Sequence, residues 1–114
     1  MGEVNFYYLR DENGKSYGCV AFCENEDGTV NRGISICSKD DAFKKIAARG
    51  IALKRMNDAI KHKKSSDHFG YYYGDKQSCP DCFEAGKDIF QYKSAYAVKS
   101  TAKEHRILYK PENN

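Results

Sequence analysis

Residues 32–56, RGISICSKDDAFKKIAARGIALKRM, run from the end of an apolar strand straight into a strongly basic helix. Ser38 is a good N-cap, and Asp41, three residues on, sits where a carboxylate favours the exposed amides and the positive helix end. From residue 40 to about residue 64 only Gly50 interrupts a helical pattern. Ala42, Ile46, Leu53, Met56 and Ile60 form an apolar stripe that should lie on a sheet. A second stripe, Ala48, Ala52, Arg55 and Ala59 with Gly50 beside it, is narrow enough for another backbone to approach. A small domain offers no second long helix for that face, so a symmetric homodimer is the expected answer.

Charge follows the same element. Residues 39–64 carry nine Lys/Arg and three Asp, a net of +6, while the other residues sum to −3. Basic charge gathered on one helix is expected where a protein holds an anion.

Outward toward the N-terminus, residues 4–10, 17–23 and 29–37 are rich in aromatic, β-branched and Cys residues. Asn13-Gly14 and Asp27-Gly28 separate them, and such pairs supply the positive φ of tight hairpin turns. A three-stranded antiparallel meander follows. Its second strand reads apolar on both faces, as a central strand covered on both sides would. Phe6, Tyr8 and Phe22 are expected in the core.

Outward toward the C-terminus, residues 65–88 mix Gly, Ser, Pro and Asp with aromatics and read as a long loop or hairpin. Residues 88–97 alternate weakly and suggest an edge strand. Thr101 with Glu104 three later is a capping-box pattern that opens a short helix reaching Tyr109, stopped before Pro111. The fold class is therefore α+β, one domain over residues 1–114: a meander, a long helix, a loop with an edge strand, and a short C-terminal helix.

Size and composition agree. The 114 residues suit one domain, and 40% apolar residues with 13% aromatics is ordinary globular composition. No apolar run approaches the roughly 20 residues that span a bilayer, and MGEVNFYYLRDE lacks the basic start and apolar core of a signal peptide. Five cysteines, an odd number, fit a reducing compartment. An intracellular, cytoplasmic protein is expected.

Candidate site residues follow from charge and shape. Arg55, among alanines, is poorly placed for solvation if a second helix packs nearby, so it needs an anionic partner. That partner is a phosphate, or, on the plainer reading, Asp58 or another carboxylate across a subunit interface. Arg32 beside Gly33, Arg49, and Arg106 near Tyr109 are secondary candidates, and the Lys44-Lys45 and 61–64 runs read as solvated faces. Tyr71, Tyr72 and Tyr73 cannot all be buried together, so Tyr71 or a neighbour such as Phe69 could stack on a flat base. Cys79-Pro80-Asp81-Cys82 supplies half of a tetrahedral zinc site or a plain turn. His62, His68 and His105 lack a patterned nucleophile, and no glycine-rich phosphate loop is present. A binder without cofactor is expected, not an enzyme.

FYYLRDENGK, the 32–56 segment, and YKSAY followed by Thr101, Glu104, Ile107 and Leu108 resemble a set of small phage proteins that includes the anti-Thoeris sponges. The resemblance implies dimers, sometimes trimers of dimers, with an N-terminal sheet followed by helices. It implies counter-defence in the host cytoplasm: a cyclic ADP-ribose-type immune signal is sequestered between protomers and not cleaved, and some members also hold cyclic oligonucleotides. It points to Arg55 and Arg106 as phosphate or ribose contacts, and Arg32, a candidate on its own sequence context, is expected to assist. The residue 68–88 loop departs from that pattern. The competing expectation is a basic nucleic-acid-binding or nuclease-inhibiting protein, which the small overall net charge of +3 disfavours.

Overall fold

The computed structural model describes residues 2–10, 13–36, 42–65 and 94–109. Strands β1 (Asn5–Arg10), β2 (Ser16–Glu24) and β3 (Val30–Ile36) form the antiparallel meander, and β4 (Ala95–Val98) adds to the far side of β3. The sheet order is β1-β2-β3-β4. Helix α1 (Lys45–His62) covers one face, and α2 (Ala102–Leu108) packs on the other. Gly14 and Gly28 sit at φ 82° and 88° in the two hairpin turns, the left-handed region where a side chain is costly. Asp27 closes the second turn by accepting from the Thr29 backbone N–H (3.0 Å) and hydroxyl (2.5 Å).

β2 is the central strand the sequence suggests, with all seven of its interior residues buried. Toward α2 the cross-strand rows are Tyr7–Val20–Ile34 and Leu9–Gly18–Ile36. Tyr7, Leu9, Val20, Phe22, Val30 and Ile34 form that core, and Ile107 and Leu108 pack onto it from α2. Toward α1 the rows are Tyr8–Cys19–Ser35 and Phe6–Ala21–Gly33. Side chains on this face shrink from β1 to β3, so the helix can sink over β3 while the two aromatic rings stand beside it.

Gly33 sets how deep the helix sinks. A Cβ there would collide with the Ala52 carbonyl oxygen and the Met56 amide nitrogen. The α1 face that uses this space is Ala48, Ala52, Met56 and Ala59. Of the stripe expected on the sheet, Met56 is buried, Leu53 and Ile60 flank it half-buried, and Ile46 is 89% exposed. The small-residue stripe expected to meet a partner helix is filled by the chain's own sheet, because a glycine-bearing strand accepts a backbone as closely as a second helix would. Gly50, expected beside that seam, faces open space.

The ends of α1 also differ from expectation. Ala42, Phe43 and Lys44 precede the helix, and Lys44 is extended at φ −124°, ψ 117° with no side-chain cap. The extended lead turns the Phe43 ring edge-on to Tyr8, centroids 6.1 Å apart; that aromatic contact is made in place of three more helical residues. The expected cap at Ser38 and Asp41 lies outside the described residues. At the other end Lys63 adopts φ 53°, ψ 47° and donates its N–H to the Ala59 carbonyl.

β4 is shorter than the strand expected over residues 88–97, of which 88–93 lie outside the described residues. Ala97, at φ 54°, donates its N–H to the buried Asn31 Oδ1 at 2.9 Å. Asn31 in turn exchanges side-chain hydrogen bonds with Asn25. The capping box appears as the sequence suggests: Thr101 Oγ1 accepts from Glu104 N (3.1 Å), and Glu104 Oε1 accepts from Thr101 N (3.0 Å). Among the described residues no helix is long and apolar enough to cross a membrane.

Candidate functional site

Arg32 points into the α2 side of the sheet, opposite Gly33, as strand alternation requires. Its Nε and Nη2 donate to Glu104 Oε2 and Oε1 at 2.7 and 2.6 Å. Arg32 is 5% exposed and Glu104 fully buried. Tyr7 donates its hydroxyl to Glu104 Oε2 at 2.9 Å. Burial above all, then the adjacent Glu104 charge and hydrogen bond, hold that hydroxyl protonated far above the usual tyrosine range. The carboxylate thus takes two guanidinium donors, a hydroxyl and a backbone amide, which is what a buried charge needs to persist. Arg32, considered a ligand contact from sequence, is instead the anchor that fixes α2 to the sheet.

Arg55 is half-buried on α1 and donates from Nη1 to the Ile34 carbonyl at 2.9 Å. Within the chain, Asp58 pairs with Lys54 at 3.1 Å. Arg106 is exposed on α2, so Arg55 and Arg106 lie on elements packed against opposite faces of the sheet. One chain does not bring them together. Phe69, Tyr71, Cys79 and Cys82 lie outside the described residues, and so does the stacking or zinc role considered for each.

A different cluster is assembled on the α1 side. α1 lies over β3 and β2, and the side chains of Lys45 and Arg49, one turn apart, reach across to alternate residues of the β1 edge strand. The Lys45 ammonium lies 5.0 Å from the centre of the Tyr8 ring, and the Arg49 guanidinium lies 4.3 Å from that of Phe6. Both cations are exposed, and both rings are half-buried. Phe6 and Tyr8, expected in the core, instead form its wall at the β1 edge. No acidic residue occupies the first turn of α1. Cations held over ring faces lose part of their freedom in advance, while their other sides stay open to an anion. Close by, burial pushes the Cys19 thiol up to about 11, against the pull of Arg49.

From sequence Arg49 is a candidate contact, whereas Lys45 reads as part of a solvated face. Two aromatics at i, i+2 in an edge strand, with two cations at i, i+4 in the following helix, were the available signal. Their pairing depends on Gly33 lowering the helix onto β3, which neither segment reveals alone.

No family model, curated protein or solved structure matches this chain.

Proposed function

We propose that this protein holds a phosphate-bearing nucleotide, without cleaving it, on the cationic strip where Lys45 and Arg49 of α1 reach over the aromatic rings of β1. The observation that carries the reading is the pairing of Lys45 with Tyr8 and Arg49 with Phe6 at an exposed sheet edge. An arginine fork and a neighbouring ammonium suit phosphate oxygens. The first turn of α1 carries no acidic residue, and the positive helix end adds to the attraction. The resemblance to phage anti-Thoeris sponges supplies the setting: sequestration of a cyclic ADP-ribose-type signal in the host cytoplasm. It also supplies assembly as dimers or trimers of dimers. A ligand touching both Arg55 and Arg106 would require two chains, which agrees with the shared site that the resemblance implies.

Thermal-shift screening against cyclic nucleotides tests this directly, because a ligand at a thousand times its Kd stabilises by about 4 kcal/mol. Ligand released by denaturing the complex should be chemically intact. A linearised product would replace sequestration with catalysis.

A second reading is favoured by the exposed basic residues Lys61, Lys63 and Lys64 at the far end of α1. They add positive charge at that end and suit a nucleic-acid backbone. Binding would then fall steeply with salt, with a logarithmic slope near −0.9 per phosphate on duplex DNA.

A further inference from the structure

Edge strand β1 carries three aromatic rings in succession, Phe6, Tyr7 and Tyr8, and each has a cation over it. The Arg49 guanidinium lies 4.3 Å from the Phe6 centroid and the Lys45 ammonium 5.0 Å from that of Tyr8, both reaching from α1. On the other face of the sheet, the Lys103 ammonium of α2 lies 5.0 Å from the Tyr7 centroid. All three cations are exposed, and among the described residues none makes an ion pair. The backbone between them has a direction as well. Ile34 donates its N–H to Ser94 Oγ and accepts from Arg55 at its carbonyl, so its polar groups face away from β2. Such direction alternates along antiparallel strands, so Val20, opposite Ile34, turns its own N–H and C=O to Tyr7. Phe6 and Tyr8 therefore point theirs outward from the sheet, and among the described residues no further strand pairs with that edge.

We infer that the β1 edge accepts an extended acidic segment of a partner protein as an antiparallel fifth strand. Main-chain hydrogen bonds to Phe6 and Tyr8 hold the segment, as in other strand additions. The two residues of the segment opposite Phe6 and Tyr8 carry their side chains on the α1 face, beside Arg49 and Lys45. The residue between them carries its side chain on the α2 face, beside Lys103. Three acidic side chains in succession thus meet one cation each. The charges also choose the occupant. A second copy of this edge brings its own cations against these, and like charges opposed across strands are destabilising. Exposed cations beside an edge strand guard it against such self-pairing, yet they attract an acidic strand. The far edge of the sheet does not compete: β4 has four residues, and Ala97 at φ 54° breaks its extended backbone. The inference goes beyond nucleotide binding and does not rest on it, because it needs Lys103 and the outward backbone of β1, which the nucleotide reading does not use.

The test is calorimetric titration of the full chain with a capped heptapeptide that has three consecutive glutamates at its centre and valine and threonine on either side. The controls are the same peptide with lysine in place of glutamate, two N-methylated versions of the acidic peptide, and a single-stranded oligothymidylate. The acidic peptide should bind at least about 10-fold more tightly than the lysine peptide, since opposite charge selects the partner. N-methylation of the first and third glutamates, whose amides face β1, should abolish binding. N-methylation of the central glutamate, whose amide faces away, should leave affinity within about 3-fold. Lys45→Gln, Arg49→Gln and Lys103→Gln, with folding confirmed by circular dichroism, should each weaken the acidic peptide about 2–5-fold, the range of an exposed ion pair. The triple variant should lose at least about 10-fold, and the single variants carry the test if it does not fold. No binding of the acidic peptide, equal affinity for the lysine peptide, or indifference to N-methylation of the first and third glutamates overturns strand addition. Oligothymidylate binding more tightly than the acidic peptide assigns the cations to phosphate and overturns it as well.

Discussion

The Arg32 guanidinium on β3 and the Glu104 carboxylate on α2 form a buried two-point ion pair, with donor–acceptor distances of 2.7 and 2.6 Å, across 72 residues of chain. Glu104 completes the capping box of its own helix with the same carboxylate. Local helix formation and long-range docking therefore share one side chain. Glu104→Gln leaves the arginine charge buried without its partner and should cost about 3–5 kcal/mol in chemical denaturation. Replacing both, as Arg32→Met with Glu104→Leu, should recover much of that loss, since a packed apolar pair avoids the desolvation penalty. A loss below about 1 kcal/mol for Glu104→Gln would mean α2 is not held this way.

Two glycines should respond oppositely to alanine. At Gly33 the added methyl meets the backbone of Ala52 and Met56, which cannot move aside as a side chain can. Gly33→Ala should therefore destabilise by about 2–3 kcal/mol or more. Gly50 is helical and faces open space, so Gly50→Ala should stabilise by about 0.5–1 kcal/mol. Urea midpoints of the two variants moving in the same direction would contradict the placement of α1.

Lys63 and Ala97 adopt φ 53° and 54°, where a Cβ is costly and glycine is at ease. Lys63→Gly and Ala97→Gly should each raise the unfolding free energy by about 0.5–1 kcal/mol. Thermal midpoints report this, and a fall in either one would count against that backbone geometry.

Much of this was legible in the sequence, for identifiable reasons. Asn13-Gly14 and Asp27-Gly28 announce hairpins because only their backbones tolerate the turn, and Thr101 with Glu104 announces a helix start because the contact is three residues long. The buried face of α1 was not legible. Ile46 outranks Ala48 in hydrophobicity, but Gly33, far away in sequence, makes a slot that only a small-residue face can enter. The ion pair of Arg32 was hidden for the same reason: local pattern shows a strand arginine beside a glycine, and nothing local supplies the carboxylate. The cationic strip depends on both hidden facts, since the depth of the helix decides which cation meets which ring.

Cys19 gives the fold an alkaline sensitivity. Burial pushes its folded pKa up to about 11, above the 9.0 of an ordinary thiol. The stabilising contribution is complete below the unfolded value and is lost as pH rises through the folded one, so the fall should run from about pH 9 to 11. Cys19→Ala should show a shallower decline over that window in equilibrium denaturation. In the native protein at neutral pH, Cys19 should also alkylate far more slowly than in urea, because the thiolate is the reactive form. Equal rates, read by peptide mass spectrometry, would place the thiol in solvent.

The most direct measurement is the affinity of a phosphate-bearing cyclic nucleotide for wild type and for the Lys45→Ala, Arg49→Ala double variant, with folding of both checked by their thermal midpoints. Wild type should bind, and the folded double variant should lose at least about 10-fold, the loss of one charge-assisted contact or more. An unchanged affinity in the folded double variant would contradict the placement of the nucleotide on the α1–β1 strip.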